Sequence, residues 1–285
     1  MLYMSQVSFP GLGIGPFTLN SVALRIGKFT IAYYGLIITF GIVLAALYVI
    51  WRAKHKGIVA DTILDIALVV VPCGVVGARL YYVLTSLDKF HSLGDVLDIR
   101  SGGLAIYGGI IAGAIAVIVM ARIKKINFFL LADMITPAVL IGQILGRWGN
   151  FFNAEAYGST TELPWRMGLL KGGEWIYVHP TFLYESLWNL LGFVLINIFY
   201  GFKADKTHKK YDGQIFLMVF AWYGFGRMLI EGLRTDSLYV GPFRISQVLG
   251  FLFFVAGAGL LLYHHFTKTD MLFQKIEDEK AKEEL

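Results

Sequence analysis

The stretch at residues 146–158 gathers side chains that can hold an anion. Its arginine, asparagine and glutamate residues are Arg147, Asn150, Asn153 and Glu155, and Gly158 closes it. Glycine lets a backbone approach a ligand closely, and asparagine side chains with free amides can donate to an anion. Arginine keeps its charge and recognises phosphate through paired hydrogen bonds. The stretch therefore predicts a site for a phosphate or carboxylate group.

A second group of charges follows helical spacing. Arg227, Glu231 and Arg234 stand at positions i, i+4 and i+7, so they share one face of a helix with alternating charge. Arginines that only extend to a membrane surface do not need a glutamate between them. The stripe predicts either part of an anion site or a structural salt bridge in a helix bundle, and both interpretations stay open for Glu231.

Composition places these residues in a membrane protein. Of the 285 residues, 56% are hydrophobic without counting the 32 glycines, and only 16% are charged. Soluble domains reach about 45–50% apolar residues with glycine included, and about 25% charged residues. This balance excludes a soluble enzyme, a secreted module and a disordered chain. The single Cys73 excludes an internal disulfide framework, and no histidine or carboxylate spacing suggests a metal.

Seven apolar stretches can span the hydrocarbon of a bilayer. They cover residues 30–50, 62–84, 104–121, 128–147, 181–201, 213–231 and 245–266. Fourteen basic residues fall on the side of the C-terminus and eight on the other. The positive-inside rule then puts the C-terminus in the cytoplasm and the N-terminus outside. We expect an all-α bundle in one domain, 1–267, with an extracytoplasmic loop at about 148–178 and a charged cytoplasmic tail, 268–285.

With this orientation, most of the polar residues within or next to the spans lie near the outer leaflet. They include Tyr34, Arg79, Tyr107, Arg147, His179, Tyr184, Glu185, Tyr223, Arg227, Glu231, Ser246 and Gln247, whereas the inner halves contribute Asp61, Asp65 and Asp133. Polar groups inside spans are expensive and need a reason. Taken singly, each of these residues could be a tyrosine at the membrane interface or an arginine that extends to the membrane surface. His179, which precedes Pro180, could simply cap the helix or pack against it. A whole layer at one depth predicts a site, whereas a transport pathway needs polar groups throughout.

Several segments resemble prolipoprotein diacylglyceryl transferases. The matching blocks are Gly146-Arg147-Trp148-Gly149-Asn150-Phe151-Phe152-Asn153-Ala154-Glu155, His179-Pro180-Thr181-Phe182-Leu183-Tyr184-Glu185, and residues 223–237, 102–109 and 33–35. The resemblance covers nearly the whole chain in order, with the seven spans of that family. It implies transfer of a diacylglyceryl group from phosphatidylglycerol to the lipobox cysteine thiol of bacterial prolipoproteins. The products are a thioether and glycerol 1-phosphate.

The resemblance also implies roles for individual residues. Arg147 and Arg227 would stabilise the leaving phosphate, and Glu231 would orient Arg227. The expected ligands of the substrate are Arg147, Asn150, Asn153, Glu155, Gly158, Tyr34, Arg79, Arg234, His179, Tyr184 and Glu185. The expected partners are phosphatidylglycerol, prolipoprotein signal peptides and the lipid bilayer of the bacterial cell membrane. We expect no cofactor, no metal and no nucleic acid.

One position departs from the family. Tyr107 stands where the family often has a histidine that is a proposed base, and tyrosine, with a free pKa of about 10, is a poor base near neutral pH. In one interpretation, Tyr107 only hydrogen-bonds the donor lipid. In another, the base is a different residue, with Glu155, Glu231 and His179 as the options. A third interpretation is that arginines lower the pKa of the thiol and no base exists. A lipid or anion transporter is the alternative function.

Overall fold

The protein is mostly helical and spans a membrane several times. The computed structural model describes residues 4–27, 29–99, 102–201 and 209–267. Six of the helices described are long and apolar enough to cross a bilayer. They are α1 (Tyr33–Lys54), α2 (Ala60–Leu84), α4 (Ile106–Ile123), α5 (Phe128–Phe152), α6 (Thr181–Tyr200) and α8 (Ile245–Thr267). The helix α7 (Gln214–Glu231) coincides with the remaining predicted span but is not among the six. The predicted tail, 268–285, lies outside the described residues.

Helix α5 ends later than the sequence predicts. It continues to Phe152, whereas the predicted span stops at residue 147, so Asn150 lies on the helix rather than in a loop, and Arg147 lies inside the helix rather than at its end. The extra turn of α5 contacts α1 through glycine positions. A Cβ atom at Gly149 would meet the ring of Tyr34, and one at Gly146 would lie 3.3 Å from Ile38 Cδ1.

The all-α prediction is wrong outside the spans, where the chain forms strands. A four-stranded antiparallel sheet has the order β2 (Ile14–Asn20), β1 (Met4–Phe9), β5 (Met167–Lys171), β6 (Glu174–Val178). Two hairpins precede α1 and α8, formed by β3 (Val22–Ile26) with β4 (Phe29–Ala32) and by β7 (Tyr239–Val240) with β8 (Phe243–Arg244). A short helix, α3, covers Leu93–Leu97. These elements are too short to be detected by counting long apolar runs.

The chain forms two compact units. The first comprises residues up to 45 and from 135 onward, and the second comprises residues 46–134. In the first unit, strands β1, β2, β5 and β6 bury an apolar cluster that includes Phe182 of α6. A second cluster, with Leu140, Ile196, Ile215 and Val219, joins α5, α6 and α7. The first turn of α6 is thereby held by the sheet, and its later turns by neighbouring helices.

Within the second unit, α2 and α4 approach closely through glycine. A Cβ atom at Gly108 would collide with the backbone of Gly77 and with Tyr81 Cβ, and one at Gly109 would lie 3.3 Å from the Gly74 carbonyl oxygen. A Cβ atom at Gly113 has no neighbour within 4 Å among the residues that the structure describes. Lys124 and Asp65 form an ion pair between the end of α4 and the start of α2.

We predict that Gly108→Val destabilises the protein by about 1–3 kcal/mol, because the added methyl groups force α2 and α4 apart. Thermal unfolding of the detergent-solubilised protein measures this effect. Gly113→Val is the matched control on the same helix, and we expect its melting temperature to stay near that of the wild type. Equal melting temperatures for the two variants would contradict the close contact at Gly108.

Candidate active site

The carboxylate of Glu185 lies at the centre of the site. Its Oε2 is 2.5 Å from Arg147 Nη2, and its Oε1 is 2.9 Å from Arg234 Nη1. Arg227 Nη1 lies 3.2 Å from both oxygens. The side chain of Glu185 is only 4% exposed. Three arginines from α5, α7 and the segment after α7 therefore converge on one buried anion supplied by α6.

Two further carboxylates hold the arginines from the other side. Glu231 Oε2 is 2.6 Å from Arg227 Nη2 and 3.9 Å from Arg234 Nε, and its side chain is 1% exposed. Asp236 receives both sides of the Arg234 fork, at 3.0 Å from Nε and 2.7 Å from Nη2. The predicted pairing of Glu231 with Arg227 on one helical face is present, although α7 ends at Glu231 and Arg234 lies beyond it.

Beyond the end of α7, the ion pair between Asp236 and Arg234 keeps both side chains ionised. Burial raises the pKa of Asp236, but its hydrogen bonds and ion pair with Arg234 outweigh that effect and hold the pKa below its usual range. Burial lowers the pKa of Arg234, and the carboxylates of Asp236 and Glu185 more than compensate, so its pKa lies above the ordinary value. Both groups are charged throughout the physiological range.

Arg147 is also connected to the predicted amide group. Its Nη1 donates to Asn150 Oδ1 at 3.1 Å, and Asn150 Nδ2 donates in turn to Glu155 Oε1 at 3.0 Å. Asn153 Nδ2 donates to the same oxygen at 3.0 Å. Glu155 is exposed and is held through one oxygen by two amides. The structure thus brings together the four residues that the sequence singled out in this stretch.

The backbone at Gly158 and Ser159 is hydrogen-bonded to the segment before α6 and to the segment after α7. Gly158 N donates to the His179 carbonyl at 2.9 Å, and Ser159 N donates to the Leu233 carbonyl at 2.7 Å. Gly158 also forms a bridge with Arg234. A Cβ atom at Gly158 would lie 2.7 Å from His179 Cβ and 2.9 Å from the Leu233 carbonyl oxygen. Gly158 therefore serves close packing of the segment that positions Arg234, and its predicted role as a substrate ligand stays a prediction.

His179 and Tyr184 form a hydrogen-bonded chain with Trp165. Trp165 Nε1 donates to the Tyr184 hydroxyl at 2.7 Å, and this hydroxyl lies 3.2 Å from His179 Nδ1. Because indole only donates, the geometry favours Tyr184 as the donor to Nδ1, which leaves the proton of a neutral imidazole on Nε2. Partial burial lowers the pKa of His179 below its ordinary value, so the ring is neutral near pH 7.

Of the remaining predicted site residues, Tyr34 lies near Asn150, whereas Arg79 and Tyr107 belong to the second unit. Tyr34 packs on Gly149, one residue from Asn150. In the second unit, Arg79 is buried and gives its five N–H groups to the carbonyls of Asp95, Val96, Asp98, Gly102 and Gly103. Its geometry is that of a residue that fixes a loop. Tyr107 lies 6.4 Å from Tyr81 between ring centroids. Roles of Arg79 and Tyr107 in substrate binding or chemistry stay predictions.

Three residues contribute to the site without a role predicted from the sequence. Asp236 lies in one of the family blocks, and its spacing of two from Arg234 is a usable signal for the ion pair. Arg244 enters the sequence analysis only through the orientation of the spans, yet it donates to the Glu231 carbonyl and, at 2.9 Å, to the Tyr239 hydroxyl. Trp165 carried no signal, because its partner Tyr184 is nineteen residues away. In the part of the chain that is described, no three histidine, cysteine, aspartate or glutamate side chains gather as metal ligands.

Comparison with known proteins assigns a family to this site. A family model described as prolipoprotein diacylglyceryl transferase matches residues 21–263. The chain belongs to this family. The match includes the whole arginine cluster and the segment from Arg147 to Gly158, and it confirms the resemblance seen in the sequence.

Curated relatives of the prolipoprotein diacylglyceryl transferase family agree. A phosphatidylglycerol–prolipoprotein diacylglyceryl transferase from Finegoldia magna is 45% identical over 240 residues, covering 84% of this chain and 93% of the relative. Proteins of the same name from Streptococcus pneumoniae and Listeria welshimeri are 44% and 40% identical over 252 and 265 residues. Those alignments cover 87% and 89% of this chain, and 95% and 92% of the relatives.

The lowered pKa of His179 gives a prediction about pH. The unfolded chain binds a proton near pH 6.5, where the folded protein does not. The stability that depends on neutral His179 is therefore present above about pH 6.5 and is lost as the pH falls through the folded-state pKa.

We expect the difference in melting temperature between wild type and His179→Gln to shrink as the pH is lowered from about 8 to about 5.5. The variant removes the titrating ring, so its own pH profile is the reference. A difference that stays constant or grows on acidification would contradict a lowered pKa for His179.

Proposed function

We propose that this protein transfers the diacylglyceryl group of phosphatidylglycerol to the lipobox cysteine thiol of prolipoproteins. The observation that carries this proposal is the convergence of Arg147, Arg227 and Arg234, because such a cluster is suited to a phosphate. Membership of the family and the names of the relatives support the same reaction. None of the geometry described favours the alternative of a lipid or anion transporter.

We also propose the arrangement in the membrane. Helix α7 would be the seventh span, with its charged residues Arg227 and Glu231 at the outer end. The excess of basic residues on one side supports an external N-terminus and a cytoplasmic C-terminus in the bacterial cell membrane. A single seven-span catalytic domain, 1–267, would then have its active site toward the outer face, with an extracytoplasmic loop at about 148–178, and residues 268–285 would form a cytoplasmic tail. The donor lipid would enter sideways from the outer leaflet.

In the proposed reaction, the thiol sulfur attacks the glyceryl carbon that carries the phosphate. A carbon–sulfur bond forms as the carbon–oxygen bond breaks, and its electron pair leaves with glycerol 1-phosphate. Fixed guanidinium groups stabilise the charge that develops on that oxygen. Arg147 is the most exposed of the three, at 23%, against 14% for Arg227 and 9% for Arg234. We assign Arg147 and Arg227 to the leaving phosphate, with Arg234, Asn150 and Asn153 around the headgroup.

The geometry favours Glu155 as the acceptor of the thiol proton. Glu231 is 1% exposed and ion-paired, and His179 has its Nδ1 next to the Tyr184 hydroxyl. Glu155 is exposed, and the amide bonds from Asn150 and Asn153 both go to Oε1. The positive cluster beside it also lowers the pKa of an approaching thiol from about 8.5, which makes the transfer easier.

We predict that Arg147→Ala lowers kcat about 100- to 1,000-fold, because one fixed donor to the developing charge is lost. The assay follows labelled diacylglyceryl from phosphatidylglycerol to a lipobox peptide. Arg166→Ala is the control, since the side chain of Arg166 donates to the Glu162 and Leu163 carbonyls and lies over the ring of Tyr177, away from Glu185 and its arginines. Unlabelled peptide with wild-type protein would contradict the function, and full activity of Arg147→Ala would contradict the role of that arginine.

A second pair of variants tests the base. We expect Glu155→Gln to lower kcat by at least about 100-fold near neutral pH and to recover partly as the pH rises toward the thiol pKa. Tyr107→Phe, which removes only a hydroxyl, should keep kcat within about threefold of the wild type if the phenol is no base. Loss of activity in Tyr107→Phe together with an active Glu155→Gln would reverse the assignment.

A further inference from the structure

Glu185 contacts all three arginines but has little room to contact a substrate. Arg147 and Arg227 engage its Oε2, and Arg227 and Arg234 engage its Oε1. A carboxylate with both oxygens occupied by guanidinium groups offers a lipid headgroup no open acceptor without breaking an ion pair. Exposure falls in the order Arg147, Arg227, Arg234, Glu185. The arginines are therefore more accessible than the carboxylate that they surround.

We infer that Glu185 is a positioning residue that sets the geometry of Arg147, Arg227 and Arg234 for phosphate, and that it does not itself bind the substrate. This inference rests on the proposed function of the same site. It replaces the expectation from the sequence that Glu185 is a substrate ligand.

The arginines need a common partner because they come from separate parts of the chain. Like charges gathered in a partly buried site repel strongly. Asn150 and Asp236 each hold one arginine, and Glu231 lies beside two. Among the described residues, only Glu185 forms ion pairs with all three arginines. Its loss would leave three guanidinium groups without the anion that fixes their separation.

Helix α6 holds the Glu185 carboxylate firmly in place. Four residues before it, Thr181 Oγ1 donates to the Ala156 carbonyl at 2.6 Å. Directly after it, Ser186 Oγ donates to the Ile144 carbonyl of α5 at 3.1 Å. Phe182, on the same turn, lies in the apolar core of the sheet. These contacts fix the backbone on both sides of Glu185, so its carboxylate is a rigid reference for the longer arginine side chains.

The positioning role and a ligand role predict opposite changes in KM. When all six side chains are ionised, the three arginines balance the charges of Glu185, Glu231 and Asp236. Glu185→Gln therefore leaves one excess positive charge. That charge attracts the anionic lipid more strongly in the ground state, while the misplaced arginines stabilise the transition state less. A positioning role therefore predicts a lower kcat with an equal or lower KM. A carboxylate that bound headgroup hydroxyls would predict a higher KM.

The experiment measures kcat and KM for phosphatidylglycerol with the full-length protein in nanodiscs, using Glu185→Gln and a matched control. Glu174→Gln makes the same change on the exposed edge of β6, and we expect both of its constants to equal those of the wild type. For Glu185→Gln we expect kcat to fall at least about 50-fold and KM to fall about two- to fivefold. Unchanged constants, or a raised KM with kcat retained, would overturn the inference.

Glu185→Asp decides the matter if the glutamine variant does not fold, as judged by thermal unfolding. Aspartate keeps the charge but is one methylene shorter, so it cannot reach all three arginines from the same backbone position. We expect its KM to stay within about twofold of wild type and its kcat to fall at least about fivefold. A wild-type kcat for this variant would overturn the inference. Absence of turnover by the wild-type protein would instead contradict the proposed function.

Discussion

A buried carboxylate in an apolar helix has to be neutralised, and this requirement organises the structure around Glu185. Removing one partner from a buried ion pair costs about 3–5 kcal/mol, because the other charge stays buried without compensation. Arg147, Arg227 and Arg234 provide the compensation from three parts of the chain. Helix α5 must therefore end on the same side as the start of α6 and the end of α7. The site is a consequence of that arrangement, because the groups that neutralise Glu185 are also those that can meet a phosphate.

The sheet and the segment after α5 make this arrangement rigid. Strands β1, β2, β5 and β6 bury their apolar side chains against Phe182, which fixes the first turn of α6. Gly158 brings the preceding loop into contact with both His179 and Leu233. Rigid donors matter for catalysis because they do not have to reorient as charge develops. The elements outside the spans thus position the charged groups of the candidate site, although they carry few of those groups themselves.

Long-range partners explain most of what the sequence could not predict. Six of the predicted spans followed from apolar length, and the pairing of Arg227 with Glu231 followed from helical periodicity, because both signals are local. The partners of Glu185 are 42 and 49 residues away in the chain for Arg227 and Arg234, and no local pattern encodes such contacts. For the same reason, the sequence does not predict the hydrogen bond from Trp165 to Tyr184. For Arg79, residue type and depth predict a substrate ligand, whereas its N–H groups donate to backbone carbonyls of α3 and of the loop after it; its role as a ligand stays a prediction.

The inferred positioning role of Glu185 makes it and the three arginines one unit that acts on the phosphate. A double-mutant cycle with Glu185→Asp and Arg227→Lys, read in kcat/KM for phosphatidylglycerol, measures whether their effects are coupled. Residues of one ion-pair network couple by about 0.5–3 kcal/mol, whereas independent sites add within about 0.5 kcal/mol. We expect the double variant to be clearly more active than the product of the two single effects. Effects that simply multiply would contradict it.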